Sequence, residues 1–228
     1  MNTTRIFVQN QIFVGLPWKN VRPKYDKAIA KLQKSFPLYF TIVGRNDGQD
    51  AHDLFEIIKS RIESSSYAVF DATGGNANVS LEYGFAEGIG VPRALFLSAH
   101  KAAQNKTTGS PIISDLGGKR RIPYKTEKTL LAELQKLCKE HDYTRRFEKA
   151  LVVATKRKSK GQKKSSRALA LKIVRALDGK STMRRPELIQ HIEAQGYKEA
   201  DVNDLLKKLH TAGIIACTVG KFSTVHVA

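Results

Sequence analysis

Four short stretches rich in apolar residues recur through the first hundred residues: QIFVG (11–15), LYFTIVG (38–44), YAVFDAT (67–73) and RALFLS (93–98). Nothing else narrows so sharply what the chain can become. A strand with one wet face alternates apolar and polar residues, whereas near-continuous apolar runs need cover on both sides. The segments between them can supply it. RPKYDKAIAKLQKSF sets Tyr25, Ile29 and Leu32 at helical spacing, and DAHDLFEIIKSRIESS sets Leu54, Ile57, Ile58 and Ile62 in a stripe, with Asp50 placed to cap. NVSLEYGFAEGIG (78–90) is the helical segment after the third run. Such strands alternating with helices predict a parallel sheet covered on both faces.

KRRIPY (119–124) is expected to add a fifth short strand after a loop of polar and small residues, and residues 125–156 one long helix or two shorter ones that close the domain. The expected fold of residues 1–154 is therefore α/β, a flavodoxin- or Rossmann-like parallel sheet of about five strands. Beyond it the rhythm changes. RALALKIVRAL, PELIQHIEAQG (Pro186 in its first turn, Gly196 at its end) and EADVNDLLKKLHTAG read as three amphipathic helices. IIACTVGKFSTVHVA then reads as a hairpin turning at Gly220–Lys221. Three helices followed by a hairpin are the winged-helix pattern, so residues 168–228 are expected to form a small winged-helix-like α+β domain.

The formal net charge is +18, of which residues 151–228 contribute +10. TKRKSKGQKKSSR (155–167) carries seven basic residues and no acid, and reads as a solvated, flexible linker attractive to polyanions. Lys156, Arg157, Lys158, Lys163 and Lys164, together with Arg184 and Arg185, are the candidate contacts to DNA phosphates. The third helix of the second domain makes a poor reader of bases, since it opens with Glu199, Asp201 and Asp204 and has Lys207 and Lys208 only late. A protein-binding or dimerisation module fits nearly as well, and a homo-oligomer is left open. Cys138 and Cys217 are isolated, which points to reduced thiols in a cytoplasmic protein. The six histidines show no ligand spacing, so no metal is expected, and no Gly-rich fingerprint calls for a nucleotide cofactor. No apolar stretch is long enough to span a membrane.

In an open parallel sheet, ligands bind outside the carboxyl ends of the strands. Three loops fall there: GLPWKN, GRNDGQD and DATGGNANVSLE. Gly15 allows close backbone approach. Trp18 either stacks on a base or covers the core. Arg45 can grip a phosphate, and Asp47 lies beside it in the same loop. Glu82 is the unusual residue, because Val79 three positions before it and Ala86 four after put it along an apolar stripe. With Asn78 as the expected N-cap, Glu82 falls about one turn into its helix, where the dipole favours an ionised carboxylate. Such a group suits attack on a sugar carbon, or stabilisation of an oxocarbenium-like centre there. On spacing alone, a surface carboxylate that complements the dipole is the stronger reading.

The sequence NVSLEYGFAEGIGVPRALFL resembles a stretch shared by nucleoside 2-deoxyribosyltransferases, related N-glycosidases and TIR-like nucleotide-binding domains. IFVGLPW resembles the first strand and pocket-lining turn of the transferases. FDATGGNANVSLEYG and SDLGGKRRIPY are similar to segments of the bacterial TIR-like domains. The resemblance spans roughly residues 11–125 and implies that Glu82 is the catalytic carboxylate. It further implies that Gly15, Pro17, Trp18, Asp71 and Asn78 lie around the ligand, Asp71 near the ribose hydroxyls. From its position alone, Asp71 serves equally well as a turn residue satisfying local N–H groups. The transferases carry a further aspartate shortly before the third strand, where this chain offers Lys59 or Ser66. That departure favours the TIR-like branch, hydrolysis, or binding without cleavage over base exchange. The implied ligand is a nucleoside, nucleotide or NAD. A nucleotide sensor without catalysis, acting through its second domain, is the competing reading; a defence effector activated by oligomerisation is a third.

Overall fold

The computed structural model describes residues 7–18, 21–44, 51–99, 116, 118–179, 182–218 and 223–228, leaving aside the side chains of 51–53. The chain divides into two compact units, Met1–Lys34 with Phe40–Leu137 and Ser35–Tyr39 with Cys138–Ala228. Asp50 and the turn at Gly220–Lys221 lie outside the described residues, as does nearly all of the loop 100–118. Among the described residues no helix is long and apolar enough to cross a membrane.

The first unit contains β1 (Val8–Gly15), α1 (Arg22–Gln33), β2 (Tyr39–Thr41), α2 (Ala51–Glu63), β3 (Ser65–Asp71), α3 (Ala77–Gly88), β4 (Arg93–Ser98), β5 (Arg121–Tyr124) and most of α4 (Glu127–Glu140). Its five strands lie in the order β2-β1-β3-β4-β5, with β1, β3, β4 and β5 paired in parallel. This is the five-stranded, Rossmann-like α/β sheet expected from the apolar runs. The order also creates a switch point, because the chain leaves β1 for β2 on one side and returns to β3 on the other.

Strand β1 starts earlier than its apolar run, adding Val8, Gln9 and Asn10 ahead of Gln11. Gln11 is tolerated at 3% exposure because its amide donates to Ser64 Oγ (2.9 Å) and Ser65 Oγ (3.0 Å). Phe70 of β3 is wedged between Phe13 of β1 and Tyr83 of α3, with ring centroids 5.8 and 5.5 Å away. Val79, Tyr83 and Ala86 form the buried stripe of α3 against this core.

The second unit contains α5 (Asp142–Ala154), α6 (Lys160–Ala176), β6 (Met183–Arg184), α7 (Arg185–Glu193), α8 (Glu199–Thr211), β7 (Ile215–Cys217) and β8 (Thr224–Val227). Three antiparallel strands lie in the order β6-β8-β7. Leu188, Ile192, Val202, Leu206, Leu209, Ile214 and Val225 are buried. Two features differ from the sequence reading. Helix α5 packs within this unit rather than closing the first, because Tyr143 donates to Ile214 O (3.0 Å) and Arg146 to Gly213 O (3.2 Å). The basic segment is not the flexible linker expected either, since Lys160–Arg167 form the first half of α6. A capping box starts that helix: Gln162 N donates to Ser159 Oγ, and Ser159 N donates to Gln162 Oε1 (2.9 Å).

Candidate active site

At the switch point, β1 ends at Gly15, directly across from Phe70 of β3. Gly74 (φ 78°) and Gly75 (φ 62°) follow β3, and these left-handed conformations turn the chain into α3. Asn76 emerges extended, and its side-chain oxygen accepts from Asn78 N (3.0 Å) and Val79 N (3.2 Å). Asn76, not the expected Asn78, is therefore the N-cap. The glycine pair completes the turn two residues earlier than helical spacing implies, which puts Glu82 well into the second turn, where the dipole gives little help.

A cavity of about 260 Å³ opens here, lined by β1 and its following turn (Phe13 to Leu16, and Trp18), by Ile42 and Val43, by α2 (Leu54, Phe55, Ile58), and by Asn76, Asn78, Val79, Leu81 and Glu82. Most of its lining side chains are apolar, with Asn76, Asn78 and Glu82 the polar ones. Glu82 Oε2 is enclosed and has no hydrogen-bond partner among the described residues. Burial alone pushes its carboxyl up to about 7, the reverse of the dipole-held ionised group that helix position predicts.

Gly15 makes this placement possible. A methyl group on its Cα would collide with Glu82 Oε2 and lie 2.7 Å from Phe70 Cδ1. Glycine is needed at this point for space, not for backbone freedom. Trp18 is 41% exposed at the cavity's edge, with the Arg22 guanidinium 4.7 Å from its ring centroid. Arg22 is in turn paired with Asp26 (2.8 Å).

The expected ligand residues divide into those at the cavity and those away from it. Gly15, Trp18 and Asn78 line it with Glu82, whereas Pro17 is half-buried and outside the lining. Arg45 and Asp47 lie outside the described residues. Asp71 is fully buried away from the cavity, accepting from Thr73 N (2.9 Å) and from the Tyr124 hydroxyl (2.7 Å). Burial raises its carboxyl and these bonds partly offset the rise. The bond from Thr73 N is that of a strand-end turn residue, and the bond from Tyr124 ties it to β5.

Lys59 pairs with Glu56 (2.6 Å) and Ser66 donates to Gln11 O (2.9 Å), so neither stands in for the missing aspartate at the cavity. Sequence reasoning missed Asn76 and the wall from α2. The Gly-Gly-Asn order held the signal for the first. The second depends on which helix face meets the sheet.

On the second unit, Lys156, Arg157, Lys163 and Lys164 are exposed, while Lys158 is half-buried with its ammonium on Ser166 Oγ (2.9 Å). Arg185 donates to Asn203 Oδ1 (2.6 Å), and Arg184 lies 3.9 Å from Glu187.

No protein-family model and no curated protein sequence matches the chain. Among solved structures it is similar to a 2-desoxiribosyltransferase from Leishmania mexicana (13% identity, TM-score 0.42, covering 55% of this chain and 97% of that one). It is also similar to the CMP N-glycosidase BcmB of Clostridium botulinum (16% identity, TM-score 0.36, covering 56% and 98%). A conserved protein from Enterococcus faecalis is a third (15% identity, TM-score 0.40, covering 57% and 99%).

Proposed function

We propose that the first unit cleaves the N-glycosidic bond of a nucleoside, a nucleotide or NAD, with Glu82 as the catalytic carboxylate. The observation that carries this reading is the enclosed, unpartnered Glu82 Oε2 beside a cavity lined mainly by apolar side chains at the strand-order switch. A desolvated carboxylate is a stronger nucleophile than a hydrated one. In its ionised form it attacks the anomeric carbon or stabilises positive charge there as the base departs. Water then releases the sugar from Glu82. Trp18 and Phe55 offer flat apolar surface for a base, and the Asn76 and Asn78 amides offer hydrogen bonds to hydroxyls. Among the described lining residues Glu82 is the sole titratable group, which favours hydrolysis over base exchange.

For the second unit we infer a winged-helix-like module, from three helices (α6, α7, α8) followed by the antiparallel pair β7–β8 with β6 at the other edge. The test of catalysis is chromatographic. Wild type and Glu82→Gln are incubated with ribo- and deoxynucleosides, their monophosphates and NAD, and released base is measured. Glu82→Gln is expected to lose activity by at least about 10²-fold while still binding the ligand. Silence of the wild type across the panel would leave the sensor reading in its place.

A further inference from the structure

Residues 160–167 of the basic run form the first half of α6, and their surroundings are unusual. Every residue from Lys160 to Ser165 is exposed, so the first turn and a half of α6 buries no side chain; buried positions begin only at Ser166. Nothing hydrophobic holds this segment helical. The capping box starts it without an acidic side chain, and there is none in the first turn.

Lys160, Lys163 and Lys164 therefore sit at the positive end of the helix dipole, where cations are unfavourable. They share one face, being three and four residues apart. Lys156 and Arg157 precede them at exposed positions. None of these five side chains has an ion-pair partner among the described residues. Arg167, next along the stripe, is held by Glu148 (2.7 Å) and by Ser35 O (2.7 Å). Asp201 lines a recess with Lys158 and Gln162 and pairs with none of the five. Five exposed cations without an ion-pair partner, three of them set against the helix dipole, are an arrangement that polyanionic charge would relieve.

We propose that this exposed start of α6, with Lys156 and Arg157, is a phosphate-tracking surface for duplex nucleic acid. It goes beyond the catalytic reading of the first unit and does not depend on it. Binding through it is independent of base sequence, because lysines on a helix stub meet phosphates rather than base edges. Helix α8 takes no leading part: Glu199, Asp201 and Asp204 are exposed along its first half and would repel the backbone. Arg184 and Arg185 are engaged by Glu187 and Asn203 and are secondary. Nucleic acid is favoured over a membrane surface because Lys160 to Ser165 present no apolar side chain to enter one, and the exposed Val152 and Val153 lie before the basic run rather than within it.

The test uses the full chain, a labelled 30-base-pair DNA duplex of arbitrary sequence, and fluorescence anisotropy across a salt series. Five phosphate contacts predict a slope of log affinity on log salt of about −4.5, or a loss of about 500-fold between 50 and 200 mM salt. A scrambled duplex should give the same values. Replacing Lys156, Arg157, Lys160, Lys163 and Lys164 together by Gln should remove most of this slope. Lys163→Gln alone should lower its magnitude by about 0.9. Base release by the first unit serves as the control and should be unchanged in these variants.

Unaltered duplex affinity and slope in the five-site variant would overturn the proposal. So would loss of binding on Arg184→Gln with Arg185→Gln alone, or binding of anionic vesicles but not duplex at 50 mM salt. Should the five-site variant fail to fold, the single-site slopes decide.

Discussion

Glu82 and Gly15 are read best together, because the second makes room for the first. Glu82 ionises near 4.5 in the unfolded chain and at about 7 in the folded one. Between those values the folded state holds the extra proton, so stability present below about pH 4.5 is lost as pH rises through 7. The shift corresponds to about 3 kcal/mol. Glu82→Gln should match wild type in urea denaturation at pH 4 and exceed it by about that amount at pH 8. An equal gap at both pH values would mean that the carboxylate is not desolvated.

Under the proposed function the same ionisation sets the rate. A nucleophilic Glu82 predicts kcat/KM rising tenfold per pH unit below about 7 and levelling above it, whereas a general acid would give the opposite limb. Gly15→Ala forces Glu82 or Phe70 to move and is expected to cost about 1–3 kcal/mol of stability. Base release should fall with it, as measured in the folded fraction. Gly15 and Glu82 were both legible in sequence as candidates. That one sits against the other was not, because 67 positions separate them and only the pairing of β1 with β3 brings them together.

At the scale of the element, α3 is held at its start by one side chain. Asn76 caps two backbone donors, and Asn76→Ala should cost about 1 kcal/mol. If the cap also sets where Glu82 stands, kcat should fall more than KM rises, while Asn76→Asp restores stability and much of kcat. Asn78→Ala, which removes no cap, should leave thermal stability unchanged; a drop equal to that of Asn76→Ala would return the cap to Asn78. The helix itself was plain from its apolar spacing. Its first residue was not, since Asn76 and Asn78 both satisfy the composition rule for a cap. The left-handed glycines decided between them. Helix α6 shows the converse: a charge run that reads as a flexible tether is folded by its own Ser159–Gln162 box.

For the whole molecule, two compact units mean two cores. Leu209 of α8 is fully buried in the second, and Leu209→Ala should cost about 2–5 kcal/mol. Hydrogen exchange should then show protection lost across α5–α8 and kept in β1, β3 and β4. Uniform loss along the chain would mean that the units unfold as one. What the amino-acid sequence determined unaided was the class of the first unit, because runs apolar on both faces can be buried only in a sheet covered twice. It also determined the succession of helices in the second unit, through their spacing and glycine stops. The tertiary structure alone decided the rest. It assigned α5 to the second unit through Tyr143 and Arg146, and turned Asp71 inward onto Tyr124 and away from the cavity. It enclosed Glu82 enough that burial raises its carboxyl to about 7. Those outcomes depend on which distant groups exclude water from a given atom, and local spacing carries no record of that.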